Sequence, residues 1–191
     1  IEISKQNILN KTGGPFGCAI FKLSKDEKKS TLLSLGCNLV TFNNNCTLHG
    51  EMVAIQLGQE KIKNYTFNKD DKYELFTSCE PCAMCLGATL WSGVYRVVSG
   101  ATKSDAENIG FKEGPVFDES YSYLKDNGIQ ITKNVLREKA KNILELYKNI
   151  NCTQTFNKDV INDNFNKIKT NFKDLFVKEY LDEQVFEWAF S

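Results

Sequence analysis

The chain's 191 residues include a single histidine, so only one imidazole is available as a metal ligand or proton carrier. Net charge is missing as well: 24 basic side chains balance 24 acidic ones. No overall field draws the chain to nucleic acid or an anionic membrane, which argues against nonspecific polyanion binding while leaving room for a local basic patch. No apolar run approaches the roughly 18 residues that span a bilayer. The opening IEISKQNILN lacks the charged-then-apolar layout of a signal peptide, and no internal repeat is apparent. Without a secretion signal, the seven cysteines, an odd number, read as thiols or metal ligands rather than a disulfide framework. The expectation is a soluble, cytoplasmic globular protein, long enough to bury a real core.

The pattern along the chain alternates strands and helices. A short helix over residues 3–9 ends at a Gly-Gly-Pro break. FGCAIFKL and TLLSLGCNLVTF read as strands joined by the charged turn KDEKKS. After the polar loop NNNCT, Thr47 is placed as the N-cap of a helix running to about Gln59, with Leu48, Met52 and Ile55 at helical spacing. YELFTS, VYRVVSGAT and GIQIT supply three more strands. CEPCAMCLGATLW reads as a helix with Pro81 near its first position. DAENIGFKEGPVFDES reads as a long connection. NVLREKAKNILELYKNI reads as a helix with Val135, Leu136, Ile143, Leu144 and Tyr147 on its apolar side. Beyond residue 150 the composition shifts toward Asn, Lys and Phe. Ile161, Phe165, Ile168, Phe172 and Leu175 form an amphipathic stripe there, before an aromatic and acidic end. The order of elements predicts an α/β sandwich, one sheet between helical layers.

The candidate chemistry lies in TLHGEMVAI and PCAMC. Cys82 and Cys85, three apart at a helix start, can grip one metal ion, and the positive end of the helix favours their thiolates. His49 would be the third ligand, leaving the fourth position of a catalytic zinc open for water. Glu51 would lie close without binding, placed to move protons. His-x-Glu followed by Pro-Cys-x-x-Cys is the known pattern of zinc deaminases. Other readings stand beside this one. His49 could be a capping or surface residue, the Cys-x-x-Cys pair could be a redox pair, and a structural zinc could recruit Cys79 or Cys46 as a fourth ligand. Cys18 and Cys37 read as small core residues and Cys152 as inert.

Through GGPFG, GCNLV, HGE and TSCEPCAMCLGATLW, in order and spacing, the chain resembles the cytidine deaminase-like superfamily. Its nucleobase branch, and the guanine deaminase pattern in particular, is the nearest likeness. The resemblance covers residues 13–147. It implies a three-layer α/β/α sandwich around a five-stranded mixed sheet, Zn2+ as cofactor, a homodimer, and hydrolytic removal of ammonia from a small nucleobase or nucleoside. Carried over by residue, it makes His49, Cys82 and Cys85 the zinc ligands and Glu51 the proton shuttle. Asn38 would hydrogen-bond the substrate ring, and Phe16 and Trp91 would pack on the base. Glu80 would organise the helix start beside the metal.

This sequence departs from the pattern in several places. His-Gly-Glu stands where most guanine- and adenosine-type members have His-Ala-Glu, and TLHGE resembles fungal-type cytosine deaminases. Lys112-Glu113 replaces the aspartate pair typical of guanine deaminases, with Glu113 still able to accept hydrogen bonds from a purine. The opening helix is shorter than usual, leaving room for an N-terminal piece. The expectation is a zinc-dependent deaminase domain over residues 1–150 and a helical extension over residues 151–191, serving as a lid or a dimer contact. Guanine-to-xanthine conversion leads. Cytosine deamination, tRNA adenosine deamination (for which Lys133, Arg137, Lys139 and Lys141 form a local basic run) and a non-catalytic zinc module are the alternatives.

Overall fold

The computed structural model describes residues 1–68 and 71–151. β1 (Gly17–Leu23) and β2 (Ser30–Cys37) form an antiparallel hairpin with a register shift between Ile20 and Phe21. β3 (Tyr73–Cys79) pairs antiparallel with β1, while β4 (Arg96–Ala101) and β5 (Gln130–Thr132) add in parallel. The strand order is β2-β1-β3-β4-β5, the expected five-stranded mixed sheet. The central strands are covered on both faces, which is why they read as near-continuous apolar runs; Leu75 and Val97 are fully buried. The one charged residue of that interior, Glu74 on β3, is paired with Arg96 on β4.

Helices cover both faces. α2 (Gly50–Ile62), α3 (Ala83–Ser92) and α5 (Asp118–Asp126) share one apolar cluster with the sheet, built on Ile20, Ala54, Leu75, Leu86, Val97 and Leu124. α1 (Glu2–Leu9), α4 (Lys103–Glu107) and α6 (Arg137–Asn151) take the other side, where Ala106, Ala140 and Leu144 pack on Cys79 and Ala101. α2 comes very close to β2 because Gly36 has no side chain. A Cβ there would lie 2.1 Å from the carbonyl oxygen of Gly50 and 2.6 Å from the amide of Ala54.

Several boundaries differ from the sequence expectations. β2 stops at Cys37 rather than continuing to Phe42. The backbone turns at Asn38, whose side-chain oxygen accepts the amides of Gly14 and Val40. The N-cap of α2 is His49, not Thr47; the Thr47 hydroxyl instead bonds Asn45 within the preceding loop, at 2.7 Å. α3 begins at Ala83 with Cys82 as its N-cap, so Pro81 lies outside the helix. The long connection contains the end of α4 and the first turn of α5. α4 is held by a capping box between Thr102 and Asp105, a short signal easily lost beside Gly110 and Gly114. α6 starts only at Arg137, because Leu136 adopts a left-handed φ of 52°. Val135 and Leu136 are consequently exposed rather than on an apolar helix face. The stripe over residues 161–175, Cys152, the aromatic and acidic end and the role of the C-terminal extension lie outside the described residues.

No helix among the described residues is long and apolar enough to cross a membrane.

Candidate metal centre and active site

His49 and Cys82 occupy equivalent places, each the N-cap of its helix, with extended backbone (ψ 158° and 173°). Neither side chain makes a capping hydrogen bond. Both are therefore free to turn to each other, and His49 Nδ1 lies 3.5 Å from Cys82 Sγ. One helical turn along α3, Cys85 points the same way, and the three donor atoms all fall within 4.8 Å of one another. Zinc bonds of about 2.3 Å to sulfur and 2.0 Å to nitrogen require donors at about this separation. One imidazole and two thiols, with no further donor grouped with them among the described residues, fit a zinc ion that keeps an open position.

Neither candidate fourth ligand of a closed structural site joins them. Cys79 is buried and donates its thiol to the carbonyl of Thr102 at 3.4 Å, and Cys46 is exposed. Among the described residues, His49, Cys82 and Cys85 are the one such group. Cys18 is buried, as expected of a core residue, and Cys37 is partly buried against the cluster of Leu39, Val53 and Leu57. Burial pushes the Cys37 thiol up to about 12.

The electrostatics within the cluster are unequal. Cys82 is drawn down to about 4, chiefly because the Cys85 thiol donates to it, with His49 adding to the effect. Cys85 is correspondingly held far above the ordinary thiol range, by that same hydrogen bond and by burial. His49 is raised by its contact with Cys82. Before metal binding the pair thus holds one thiolate and one thiol.

Glu51, in the first turn of α2, is 6% exposed. Its Oε1 accepts the Thr77 hydroxyl at 2.9 Å and its Oε2 lies 3.5 Å from Cys85 Sγ. Burial raises its pKa, and the bond from Thr77 opposes that shift. A buried carboxyl beside the ligand group, poised above the normal range, is suited to carrying protons. Nothing in the sequence singled out Thr77; its role emerges only from the register of β3 over α2.

Asn38 is buried, and its carbonyl receives the side-chain amide of Asn7 at 2.8 Å. Asn7, itself bonded to Gly14 at 2.8 Å, is a second support the sequence did not reveal, since one asparagine in a short helix carries no distinctive signal. Phe16 meets Phe111 edge-on, centroids 4.7 Å apart. The carbonyl of Glu113 accepts the Ala83 amide at 2.9 Å, which brings this residue to the start of α3. Its carboxyl is pushed up to about 7, first by burial and then by the negative charges of Cys82 and Glu51. Glu80 does tie the helix entrance to its surroundings: Oε2 accepts the Lys103 amide and Oε1 pairs with Lys133, each at 2.8 Å. Trp91 stands apart. It sits near the far end of α3, 80% exposed, about 13 Å of helix rise from Cys82.

A mixed five-stranded sheet between helical layers, with His-x-Glu opening one helix and Cys-x-x-Cys opening another beside it, defines the cytidine deaminase-like class. Residues 1–101 match the cytidine and deoxycytidylate deaminase zinc-binding region, and the chain belongs to that family. It is 36% identical over 107 residues to guanine deaminase from Bacillus subtilis, covering 56% of this chain and 63% of that protein. It is 30% identical over 119 residues to a tRNA-specific adenosine deaminase from Buchnera aphidicola, covering 62% and 74%. It is also 35% identical over 100 residues to a probable cytosine deaminase from Schizosaccharomyces pombe, covering 52% and 55%. A solved structure of guanine deaminase from Nitrosomonas europaea superposes with a TM-score of 0.72 at 35% identity, covering 78% of this chain and 80% of that one.

Proposed function

We propose that this chain is a zinc-dependent aminohydrolase of free nucleobases, acting on guanine to release ammonia and xanthine. The observation that carries this reading is Glu51, a buried carboxylate held by Thr77 against Cys85 and outside the ligand set. A purely structural metal site has no use for such a group. When bound by His49, Cys82 and Cys85, zinc supplies Lewis-acid activation of water. Glu51 then accepts a proton, delivers it to a ring nitrogen of the base, and helps protonate the departing ammonia.

For the base, Asn38 offers its side-chain amide while its oxygen is committed to the Gly14 and Val40 amides. Phe16 supplies an aromatic wall, and Glu113, raised to about 7 by burial and nearby negative charge, accepts from the N–H groups of a purine in its ionised form. Within one chain the base is flanked by Phe16, not by Trp91. The likeness to guanine deaminases from two bacteria supports the choice of guanine.

Cytosine is the second reading, favoured by TLHGE and by the fungal relative. The glycine itself carries little weight, since a Cβ on Gly50 would meet its nearest atoms at 3.4–3.5 Å, ordinary contact. A tRNA substrate is less well supported. Three cations of the basic run are committed: Lys133 to Glu80, Arg137 to Asp105 and Lys141 to Glu145. Ammonia release from guanine, cytosine and an adenosine-bearing anticodon stem-loop separates these readings. Turnover of guanine is expected. Release from cytosine alone would replace guanine as substrate, and release from none would reject the enzyme reading.

A further inference from the structure

Lys103, partly buried at the start of α4, is bonded at both ends. Its backbone N–H donates to Glu80 Oε2 at 2.8 Å. Its ammonium crosses to the loop after α4, reaching the carbonyl of Val116 at 3.2 Å and that of Gly114 at 3.4 Å, with Glu107 Oε1 3.6 Å away. Three N–H donors thus face three acceptors. The loop so held carries Glu113, and the Glu113 carbonyl in turn takes the amide of Ala83 at 2.9 Å. This path from Glu80 through Lys103, the loop and back to Ala83 begins and ends on either side of Cys82. The loop is also pressed against α3. Gly114 has φ 73°, and a Cβ there would lie 3.2 Å from the Ala83 methyl.

We propose that Lys103 is a positioning residue for substrate recognition, clamping the 113–116 loop so that Glu113 is held beside the metal ligands at the entrance of α3. This rests on the reading of Glu113 as a base-recognising carboxyl. Backbone carbonyls at a loop tip present no charge of their own to fix the loop, and a neighbouring helix supplies a cation with the reach to do so. A lysine that served only to anchor α4 would make its contacts within that helix, whereas two of its three acceptors belong to the loop.

The test uses the full zinc-loaded chain. Lys103→Met keeps the apolar stem and removes the charge. It is expected to raise the guanine KM about tenfold, the loss of about one charge-assisted hydrogen bond, with kcat within about twofold and zinc content unchanged. Amide hydrogen exchange at Glu113, Gly114 and Val116 should accelerate, and Lys103→Arg should restore both measures. Because Lys103 acts through Glu113, Lys103→Met should add nothing in a Glu113→Gln background. Additive losses, or wild-type KM together with wild-type exchange in Lys103→Met, overturn the proposal. If the unmutated chain turns over no base, the substrate reading has failed, and exchange at the loop decides the clamp by itself: acceleration upholds it and no change overturns it.

Discussion

Glu51 Oε2 lies 3.5 Å from the sulfur of Cys85, although 34 residues separate them in the chain. This contact places a buried carboxyl against one sulfur of the candidate metal-binding group. Replacing Glu51 by Gln keeps the shape and the bond from Thr77 but removes the base. Zinc content per chain should stay at the unmutated value while turnover falls at least about 100-fold. Metal analysis beside an ammonia assay checks this, and retained turnover would refute the proton path.

Cys82 and Cys85 share their charge unequally, which shows in proton release. Cys82 is a thiolate at neutral pH, drawn down to about 4, whereas Cys85 keeps its proton. Zinc requires both thiolates. Loading the metal-free protein should therefore expel the Cys85 proton, together with any carried by His49 or lost by zinc-bound water, so at least about one proton leaves per zinc. Calorimetry in buffers of different ionisation enthalpy measures the number; release of none would mean that Cys85 is already ionised in the free protein.

The close approach of α2 to β2 makes Gly36 a stability hinge for the site. In Gly36→Ala the new methyl meets backbone on two sides, at 2.1 and 2.6 Å, so α2 must shift. Because α2 carries Glu51 and is capped by His49, both stability and turnover should fall. The expected cost is about 2 kcal/mol of unfolding free energy, in the range for overpacking. A urea titration reads it directly. Gly50→Ala, meeting only ordinary contacts, should cost far less.

Acid sensitivity should arise partly from α4 and α6. Arg137 donates to both oxygens of Asp105, at 2.9 and 3.0 Å, and holds that carboxyl well below its usual value. A depressed carboxylate contributes stability that is fully present above the ordinary value of 3.8 and is lost as pH falls below it. Asp105→Asn should therefore be less stable than the unmutated chain at pH 6, with the difference shrinking as pH falls below about 4. Urea midpoints across that range test the sign, and a difference that widens in acid would refute it.

How much of this was legible before folding depended on the range of the signal. His-x-Glu and Pro-Cys-x-x-Cys are local patterns whose spacing already expresses helix geometry, so the candidate ligand group His49, Cys82 and Cys85, with Glu51 beside it, was legible from the chain. The five strands were legible because each is a short run rich in β-branched, aromatic and other apolar residues bounded by turn residues. The starts of α2, α3 and α6 were misplaced by two residues or more. Thr47 and Pro81 have the right chemistry for a helix entrance, but His49 and Cys82 occupy the N-cap positions. α4 and α5 were hidden by nearby glycines, their short lengths giving little periodicity.

By itself, the sequence determined the metal-binding chemistry, the strand content and the family, because each is written in residue types at short, regular separations. Only the tertiary structure decided which residues support that chemistry. Thr77 under Glu51, Asn7 behind Asn38, Lys103 over the Glu113 loop and the remoteness of Trp91 all follow from contacts between elements far apart in the chain. Such contacts depend on strand register and on how closely helices pack. A one-residue shift in either would point the same side chains to the opposite face.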